Sequence, residues 1–361
     1  MPQALIAYTD ISPHDAVGYD AMEEARLLHA AGWEVCLYAN SVHPDLKGLA
    51  RTDVSSLAAD KSSLLIYHHA VFWDRGLALL KSATCKRVLR YHNVTPAHFF
   101  VPYSPDAYQN CLLAREQTRQ MVKMGLERVI CDSIYNAREF ATYGLCADRL
   151  RVAAPFNKIE KLRKIPPNQR ILNQLHDGNV KVFFVGRISP NKGHMNILYT
   201  AYFYKFLFGD KVRFIIAGGM DASLASYYQT LRQMAERLQV VELIEYVGQI
   251  PDSELAAYFT GSDVFLVLSE HEGFCLPILE AQGFDLPVLS RDCTAIRETA
   301  GANQLIYESD CGFEILAGAI KTIAERTEIR RYLAEQGRNN LERYSHERLY
   351  RAFLECIEEL F

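Results

Sequence analysis

Val185-Gly186-Arg187-Ile188-Ser189-Pro190-Asn191-Lys192-Gly193 is the stretch that decides the fold of this chain. It starts at the end of an apolar run, Val180–Val185, and leads into a helical pattern over residues 194–208. A strand, a short loop and a helix in this order are typical of parallel α/β sheets. Arg187 and Lys192 suit an anion held at the strand end, although solvated cations are also common in loops. The loop is not a Walker A motif, because the order G-x-x-x-x-G-K-S/T is absent.

A second stretch, Ser269–Ala281 (SEHEGFCLPILEA), follows the apolar run Val264–Leu268. Proline is favoured in the first turn of a helix, so Pro277 marks a helix start. Three backbone amides at this start would point at a ligand oxygen, those of Gly273, Phe274 and Cys275. Glu272 in the loop and Glu280 one turn into the helix could accept hydrogen bonds from sugar hydroxyls, because ionised carboxylates only accept. The alternative is a helix-start acid favoured by the helix dipole, together with a surface glutamate.

Strand-length apolar runs alternate with helical patterns along most of the chain, as expected for parallel strands covered by helices on both faces. In the first half the runs are Ala4–Tyr8, Val35–Tyr38, Leu64–Tyr67, Arg87–Tyr91 and Arg128–Cys131. In the second half they are Val180–Val185, Val212–Ala217, Ile244–Val247, Val264–Leu268 and Val288–Ser290. Residues 156–178 interrupt this pattern and contain two adjacent prolines.

The pattern predicts an α/β fold of two doubly wound, Rossmann-like domains that face a cleft. Ligands of such sheets bind at the carboxyl ends of the strands, so the cleft is the expected site. We expect a first domain over residues 1–170 and a second domain over residues 171–340. Residues 341–361 should form a terminal helix that packs back on the first domain.

Composition excludes several classes of protein. The chain has 361 residues, of which 49% are hydrophobic and 23% charged, which is typical of a globular protein. The net charge of −4 argues against a dedicated nucleic-acid binder. Nine cysteines occur singly, with no C-x-x-C pair, so we do not expect a zinc site or a disulfide framework. We expect the protein in a reducing, cytoplasmic compartment. We expect neither a signal peptide nor a membrane span.

Charge is nevertheless uneven along the chain. Residues 81–170 contain 16 lysines and arginines but only seven acidic residues. One interpretation is a face that meets phosphates, on an anionic membrane or on an anionic substrate. The other is a set of ordinary solvated helix faces. The candidates for a membrane contact are Arg115, Arg119, Lys123, Lys161, Arg163 and Lys164.

Histidines follow two strands of the first half. His92 lies in Tyr91-His92-Asn93 after the fourth apolar run, and a histidine at a strand end could hydrogen-bond a ligand in the cleft. His68 and His69 follow the third run and could line the same cleft. A structural role is the alternative for all three.

The spacing of these motifs resembles that of retaining glycosyltransferase family 4, which has the GT-B fold. The resemblance rests on Arg187-x-x-Pro190-x-Lys192-Gly193, followed by Glu272-Gly273-Phe274-x-Leu276-Pro277-x-x-Glu280-Ala281. It covers the second half of the chain, whereas the first half matches weakly. It implies that the first domain binds the acceptor and the second domain the nucleotide sugar. His92 could then hydrogen-bond the donor sugar or the acceptor, and His68 and His69 could line the acceptor site. The His-Asn-x-Thr-Pro stretch at residues 92–96 is similar to that of bacterial mannosyl- and rhamnosyltransferases of polysaccharide biosynthesis.

The resemblance implies that Arg187 and Lys192 hold the diphosphate of a nucleotide sugar without a metal, and no D-x-D motif is present. It implies that Glu280 binds the ribose, and that Glu272 grips the donor sugar with the amides of residues 273–275. Gly248 would lie near the base, and Gly18 would let a loop of the first domain approach the diphosphate. Three positions depart from the family pattern, because Cys275, Asp285 and Thr294 replace usual glycines.

The expected activity is transfer of a hexose, with retention, to a hydroxyl of a saccharide or lipid-linked saccharide. GDP-mannose or a related GDP-sugar is the favoured donor. The expected catalytic residues are Glu272, Arg187, Lys192 and His92, with no cofactor besides the nucleotide-sugar substrate. A nucleotide-sugar hydrolase, an epimerase, a sugar phosphorylase and a non-catalytic nucleotide-sugar-binding protein stay open as alternatives. We expect a cytoplasmic protein, which the basic residues could hold reversibly at the inner face of the membrane.

Overall fold

A computed structural model describes residues 2–12 and 15–361. Its strands are β1 (Gln3–Ala7), β2 (Asp10–Ile11), β3 (Glu34–Tyr38), β4 (Ser41–Val42), β5 (Leu64–His69), β6 (Lys86–Tyr91), β7 (Arg128–Cys131), β8 (Leu150–Val152), β9 (Val180–Val185), β10 (Val212–Ala217), β11 (Ile244–Gly248), β12 (Val264–Val267), β13 (Val288–Arg291) and β14 (Leu305–Tyr307).

The helices that connect these strands are α1 (Ala16–Ala30), α2 (Ser55–Ala59), α3 (Asp74–Ser82), α4 (Pro105–Val122), α5 (Ile134–Thr142), α6 (Ile159–Arg163), α7 (Gln169–Leu175), α8 (His194–Phe208), α9 (Ala225–Arg237), α10 (Asp252–Gly261), α11 (Leu276–Gly283), α12 (Ile296–Ala300), α13 (Phe313–Glu325), α14 (Thr327–Leu341) and α15 (His346–Glu358). Short 3₁₀ turns lie at Pro44–Leu49, Ala97–Phe100, Ala147–Arg149, Pro190–Lys192, Ala222–Leu224, Val241–Leu243 and Glu342–Tyr344.

The chain divides into two units, each built on one parallel sheet of six strands. In the first unit the strand order is β3-β1-β5-β6-β7-β8, and in the second it is β11-β10-β9-β12-β13-β14. The prediction of two Rossmann-like α/β domains is therefore confirmed. The apolar runs identified in the sequence are buried strands because helices cover both faces of each sheet, as Leu64–Tyr67 illustrates with no exposed surface.

The strand order of the second sheet positions the site. Both β10 and β12 pair with β9, so the order reverses between β9 and β12. In such sheets, loops that leave the carboxyl ends of the strands on either side of a reversal leave a crevice for a ligand. The loop after β9 carries Arg187 and Lys192, and the loop after β12 carries Glu272. Residues 80 positions apart in the sequence therefore lie next to each other.

The first unit comprises Met1–Ala97, Gln109–Asn157 and Tyr344–Phe361, and the second comprises His98–Tyr108 and Lys158–Arg343. Residues 158–170, which we expected in the first domain, thus belong to the second unit. Packing explains the difference, because Leu162 is fully buried in the core of the second unit. Ile159 lies so close to Gly283 of α11 that a Cβ there would be 2.6 Å from Ile159 Cγ2.

A short segment from the first half of the sequence, His98–Tyr108, also belongs to the second unit. The ring of Tyr103 packs edge-on against Tyr227 of α9, with 4.8 Å between the centroids. Ser226 Oγ donates a hydrogen bond to the Tyr103 carbonyl oxygen at 2.6 Å. The sequence pattern did not predict that this segment belongs to the second unit.

The last helix, α15, belongs to the first unit. Phe353 is buried and packs against Phe156, with 6.0 Å between the ring centroids. Within residues 2–12 and 15–361, none of the helices has the length and apolar character needed to cross a bilayer.

Candidate functional site

Lys192 and Glu272 meet where the loops after β9 and β12 come together. Lys192 Nζ lies 2.8 Å from both carboxylate oxygens of Glu272. Ser269 Oγ donates a further hydrogen bond to Glu272 Oε1 at 2.8 Å. The Glu272 side chain is only 7% exposed, whereas Lys192 keeps 22% of its side chain in contact with solvent. The structure thus brings together two of the residues predicted to be catalytic.

Backbone contacts hold the two loops in this arrangement. Gly193 has a φ of +69°, and a Cβ at this position would lie 1.8 Å from the carbonyl oxygen of Leu268. Only glycine therefore permits this approach of the two loops. Asn191 joins the loops from the other side: its carbonyl oxygen accepts from the amide of Glu270 at 2.8 Å, and its Nδ2 donates to His271 O at 3.2 Å. Asn191 is a contributor that the sequence reasoning missed.

Arg187, the other predicted diphosphate ligand, is exposed. Within the part of the chain that the structure describes, its guanidinium forms neither a hydrogen bond nor an ion pair. The pKa of the Asp221 carboxyl is lowered chiefly by a hydrogen bond from the Ser223 backbone, and the charge of Arg187 lowers it further. Arg187 is therefore available to an anionic ligand, but the structure does not bind it to the Lys192–Glu272 pair.

The loop from Gly273 to Cys275 leads into α11, which starts at Leu276, one residue before Pro277. Thr299 Oγ1 donates to the Phe274 carbonyl oxygen at 2.6 Å, which fixes the loop from below. Phe274 and Cys275 are buried, and Gly273 is half-buried. The predicted position of these amides at the start of a helix therefore agrees with the structure.

The three positions that depart from the family's glycines all adopt left-handed backbone conformations. The φ angles are +78° at Cys275, +58° at Asp285 and +48° at Thr294. Each position thus places a Cβ in a backbone conformation that disfavours side chains. Thr294 gains a compensating role, because its Oγ1 donates to the Glu272 carbonyl oxygen at 2.6 Å and lies 2.9 Å from the Glu272 amide.

Glu280 lies on α11 and is buried, with 7% of its surface exposed. Burial raises the pKa of this carboxyl above its usual value, the charge of Lys158 lowers it, and Asp252 raises it further. Lys158 itself is paired with Asp252 at 3.0 Å. Across residues 2–12 and 15–361, no hydrogen bond to the Glu280 carboxylate is formed, so its acceptor capacity is unused.

The two predicted glycine positions have different environments. Gly248 ends β11 with a φ of +72°, its carbonyl oxygen accepts from Gly218 N at 2.8 Å, and a Cβ there would contact nothing. Gly18 lies in the first turn of α1, where a Cβ would come within 2.6 Å of Ser12 N and 2.7 Å of Asp10 O. Close backbone packing within the first unit is therefore sufficient to require glycine at position 18.

In the first unit, His92 is held by two neighbours. Its Nδ1 lies 2.8 Å from Asp132 Oδ2, and its Nε2 lies 2.9 Å from Nδ1 of His68. Burial lowers the pKa of His92 well below its usual range. Both ring nitrogens are thus engaged, so a sugar hydroxyl could bind the imidazole only by replacing one of these partners.

The predicted acceptor residues are buried. His68 and His69 are 1% and 0% exposed. His68 Nε2 bonds Glu24 Oε2 at 3.0 Å, and His69 Nε2 bonds Thr118 Oγ1 at 2.8 Å. Burial lowers the pKa of His68 to about 4 and that of His69 to about 3. As placed, neither side chain offers surface to an acceptor, because both end inside the core of the first unit.

A group of buried charges surrounds these histidines, and the sequence reasoning missed it. Arg90, 1% exposed, bonds Asp20 Oδ2 through Nε at 2.9 Å and lies 3.3 Å from oxygens of Glu24 and Asp132. Burial raises the pKa of Glu24 to about 8 and that of Asp132 to about 7, and the charge of Arg90 opposes both shifts. An arginine inside the apolar run Arg87–Tyr91 was the signal that could have revealed this group.

The candidate membrane-binding cations fall into two groups. Arg115 bonds Glu139 at 2.7 Å and the carbonyl oxygen of Val94 at 2.9 Å, and Arg119 pairs with Glu116. Of that first group, only Lys123 has no ion pair within the described ranges. The second group, Lys161, Arg163 and Lys164, is exposed and belongs to the second unit rather than to the predicted first domain.

Comparison with known proteins gives a family match for the second half of the chain. Residues 167–340 match the family described as "Glycosyl transferases group 1". An uncharacterised 41.2 kDa protein in the cps region of Klebsiella pneumoniae is 25% identical over 212 residues, which are 55% of this chain and 54% of that protein. The O-antigen chain mannosyltransferase B of Escherichia coli is 36% identical over 78 residues, 22% of this chain and 20% of that one. This chain thus covers about half, or less, of the length of these relatives.

A solved structure matches the whole chain. Anabaena Alr3699/HepE, crystallised with UDP and glucose, superposes with a TM-score of 0.79 over 99% of this chain and 100% of that one, at 16% identity. This likeness shows the fold and supports the predicted GT-B class. The match to the family described as "Glycosyl transferases group 1" spans residues 167–340 and so includes Lys192, Glu272 and Glu280.

Proposed function

We propose that this protein is a retaining glycosyltransferase that moves a hexose from a nucleotide-diphosphate sugar to a hydroxyl of a saccharide acceptor. The observation that carries the proposal is the Lys192–Glu272 pair at the strand-order reversal of the second sheet, inside the family match. A cation and a carboxylate are side by side there, and a donor with a diphosphate next to a hexose requires one of each.

In the proposed donor complex, Lys192 and Arg187 neutralise the diphosphate without a bridging metal. Glu272 accepts hydrogen bonds from hydroxyls of the sugar, with the amides of residues 273–275 beside it. Glu280 accepts hydrogen bonds from the ribose hydroxyls. Its carboxylate is suited to this role because it is buried and forms no other hydrogen bond within the described residues. Gly248 contributes backbone near the base, and Gly18 lets the first unit's loop approach.

The proposed reaction breaks the bond between C1 of the sugar and the diphosphate oxygen while the acceptor oxygen bonds C1 on the same face. The acceptor's proton passes to the leaving phosphate oxygen. Negative charge grows on that phosphate in the transition state, so a fixed ammonium group such as that of Lys192 accelerates the step. His92 would bind the donor sugar only after exchanging one of its present partners.

For the donor and acceptor we propose GDP-mannose, or a related GDP-sugar, and a lipid-linked saccharide of bacterial polysaccharide synthesis. The support is the His-Asn-x-Thr-Pro stretch together with the two relatives, one an O-antigen mannosyltransferase and the other from a cps region. The burial of His68 and His69 does not support a role for them in binding the acceptor.

An assay of nucleotide release tests the proposal. The protein is incubated with GDP-mannose, UDP-glucose and other nucleotide sugars, with and without lipid-linked saccharide acceptors. We expect nucleoside diphosphate to appear only with acceptor, together with a product of retained anomeric configuration. Release without acceptor would indicate a hydrolase, and nucleotide-sugar binding without turnover for any acceptor would indicate a binding protein.

We also propose reversible attachment to an anionic membrane through Lys161, Arg163 and Lys164. These side chains are exposed and have no ion pair in the described ranges, and each cation near an anionic leaflet contributes up to about 1 kcal/mol. Sedimentation with anionic vesicles at low salt should deplete the supernatant, and high salt should restore it. Replacing the three by glutamine should abolish the effect, whereas glutamine at the paired Arg115 and Arg119 should not. Equal recovery with and without vesicles would contradict the proposal.

A further inference from the structure

The segment His98–Tyr108 packs in the second unit and carries aromatic side chains that the proposed donor complex does not use. Phe99 lies in the 3₁₀ turn Ala97–Phe100, and the centroid of its ring is 6.3 Å from that of the His271 ring. His271 directly precedes Glu272, for which we propose a contact with the donor sugar. Phe99 therefore lies next to the loop that would hold this sugar.

Backbone hydrogen bonds fix the start of this segment. The amides of Tyr103 and Ser104 both donate to the Phe100 carbonyl oxygen at 3.0 Å. The Val101 amide donates to the His98 carbonyl oxygen at 3.3 Å. The contacts of Tyr103 with α9 attach the segment to the rest of the second unit. The side chains of the turn are therefore held in place before a ligand binds, which lowers the entropic cost of binding.

Three rings of the segment remain accessible to solvent. His98 is exposed, and Phe99 and Tyr103 are half-buried. The centroids of the His98 and Phe99 rings are 4.3 Å apart, with 32° between the ring planes, so the two rings adjoin each other. Isolated apolar side chains are normal on a protein surface, whereas a group of accessible rings indicates an interaction site. The segment thus presents a small aromatic surface beside the loop of Glu272.

Glu270 supplies a polar group next to these rings. Its side chain is exposed, and its Oε1 accepts a hydrogen bond from Asn196 Nδ2 at 3.2 Å. Asn196 Nδ2 also donates to the Leu268 carbonyl oxygen at 3.2 Å, so the amide orients the carboxylate. Burial raises the pKa of the Tyr103 hydroxyl, and the charge of Glu270 raises it further, which places this charge near the ring. The carboxylate keeps further acceptor positions for hydroxyl groups.

An aromatic surface beside a carboxylate suits a pyranose ring. The C–H groups on one face of a pyranose carry small positive charges and pack on the negative face of an aromatic ring. Its hydroxyl groups donate hydrogen bonds to an ionised carboxylate, which only accepts. Phosphate oxygens also only accept hydrogen bonds, so the Glu270 carboxylate favours a neutral saccharide over a nucleotide or a lipid phosphate.

We propose that Phe99, Tyr103 and Glu270 bind the terminal pyranose ring of the acceptor saccharide, an assignment that rests on the proposed function. Transfer requires the acceptor oxygen to lie about 3–3.5 Å from C1 of the donor sugar. Glu270 and Glu272 are separated by a single residue, so one loop holds the two sugars side by side. Phe99 packs against the ring of the acceptor, and Glu270 accepts from its hydroxyls. The second unit therefore contributes to acceptor binding, which the sequence assigned to the first domain.

Binding of simple sugars tests the assignment without any transfer. Saturation-transfer NMR is recorded on the full-length protein with GDP or UDP present, with the methyl α-pyranosides of mannose, glucose and galactose as probes. We expect at least one probe to receive saturation, most strongly at the protons of one ring face. Phe99→Ala and Glu270→Gln should each reduce this signal about tenfold. Phe208→Ala is the matched control, because Phe208 is an exposed phenylalanine at the other end of α8.

Two NMR results would overturn the assignment. One is the absence of saturation transfer to all three probes. The other is a signal that Glu272→Gln abolishes and Phe99→Ala leaves intact, because the probe would then occupy the proposed donor-sugar position.

Steady-state kinetics distinguishes a failure of this assignment from a failure of the proposed function. With a saccharide that supports nucleotide release, Phe99→Ala should raise the KM for the acceptor about tenfold and leave the KM for the donor unchanged. Phe99→Tyr should keep the wild-type values, since it keeps the aromatic face. Turnover with an unchanged acceptor KM in Phe99→Ala would overturn the assignment and leave the proposed function standing. Probe binding that depends on Phe99, in a protein without turnover, would support the sugar site and contradict the proposed function.

Discussion

Lys192 and Glu272 are 80 residues apart in the sequence, yet the lysine ammonium group lies 2.8 Å from both oxygens of the glutamate. The pairing follows from the strand order, because β9 and β12 are neighbours and each residue lies in the loop after its strand. Glu272 is nearly buried, so the lysine compensates a carboxylate that solvent cannot fully stabilise. The pair therefore links the stability of the loops to their proposed chemistry.

Lys192→Ala should lower turnover about 10²–10³-fold, as loss of one group that stabilises transition-state charge commonly does. The Michaelis constant for the donor should change much less, because the developing charge is greatest in the transition state. Steady-state kinetics with the accepted donor measures both quantities. Lys205→Ala is the matched control, since Lys205 also pairs with a glutamate, Glu242, in the same unit. Unchanged turnover would remove Lys192 from the site.

Glu280→Ala should weaken nucleotide binding by about 1.5–3 kcal/mol, the range for hydrogen bonds to a charged group. The fold should persist, because the carboxylate has no internal hydrogen bond to lose in the described part of the chain. Isothermal titration with the nucleoside diphosphate measures the affinity, and circular dichroism checks the fold. Glu236→Ala, at an exposed position of α9, should bind like wild type. Equal affinity of the Glu280 variant would contradict the ribose assignment.

Nucleotide binding should also weaken on acidification at a higher pH than an ordinary glutamate would cause. Burial raises the pKa of Glu280 above 4.5, so this carboxyl becomes protonated earlier as the pH falls and loses acceptor capacity. Affinities measured between pH 7.5 and 5 should decline for wild type, with less decline for Glu280→Gln. Parallel profiles for the two proteins would exclude Glu280 as the titrating group.

His194 should make the second unit sensitive to acid. It is fully buried, and burial lowers its pKa from 6.5 to about 4. Between these values the unfolded state binds more protons than the folded state, so stability is complete above about pH 6.5 and falls by up to about 3 kcal/mol towards pH 4. Urea unfolding at pH 7.5 and pH 5 should show a smaller difference for His194→Phe than for wild type. The exposed His176→Ala should keep the wild-type difference.

Asp285→Gly should raise the free energy of unfolding by up to about 1 kcal/mol, because glycine adopts the φ of +58° without strain. Its exposed ion pair with Arg338 contributes little against this gain. Asp285→Ala keeps the strain and loses the pair, so it should not be stabilising. Thr294→Gly should destabilise despite its positive φ, because it removes both hydrogen bonds to Glu272. Urea unfolding compares the three variants.

The sequence predicted the buried strands of both large sheets because a buried parallel strand needs an uninterrupted apolar run, and such runs are local. It missed the short edge strands β8 and β14, which are only partly buried. It also predicted that residues near 187–192 and 272–280 belong to one site, through their resemblance to a family. It did not predict that His98–Tyr108 packs in the second unit, since the contact of Tyr103 with Tyr227 is decided by tertiary structure. The buried charges around Arg90 escaped notice because charged residues ordinarily indicate surface.

The left-handed backbone at Cys275 shows a different limit of prediction from the sequence. A glycine is usual at this position in the family that the sequence resembles, yet Cys275 adopts a positive φ of +78°. The absence of glycine from a sequence position therefore does not show whether the backbone changes conformation there or keeps a strained positive φ.

The chain passes between its two units four times, after Ala97, Tyr108, Asn157 and Arg343. During synthesis the ribosome releases nearly all of the first unit before any of the second unit's sheet. Phe353, however, which packs on Phe156, follows every residue of the second unit in the chain. The first unit therefore completes its core only after all of the second unit has been synthesised.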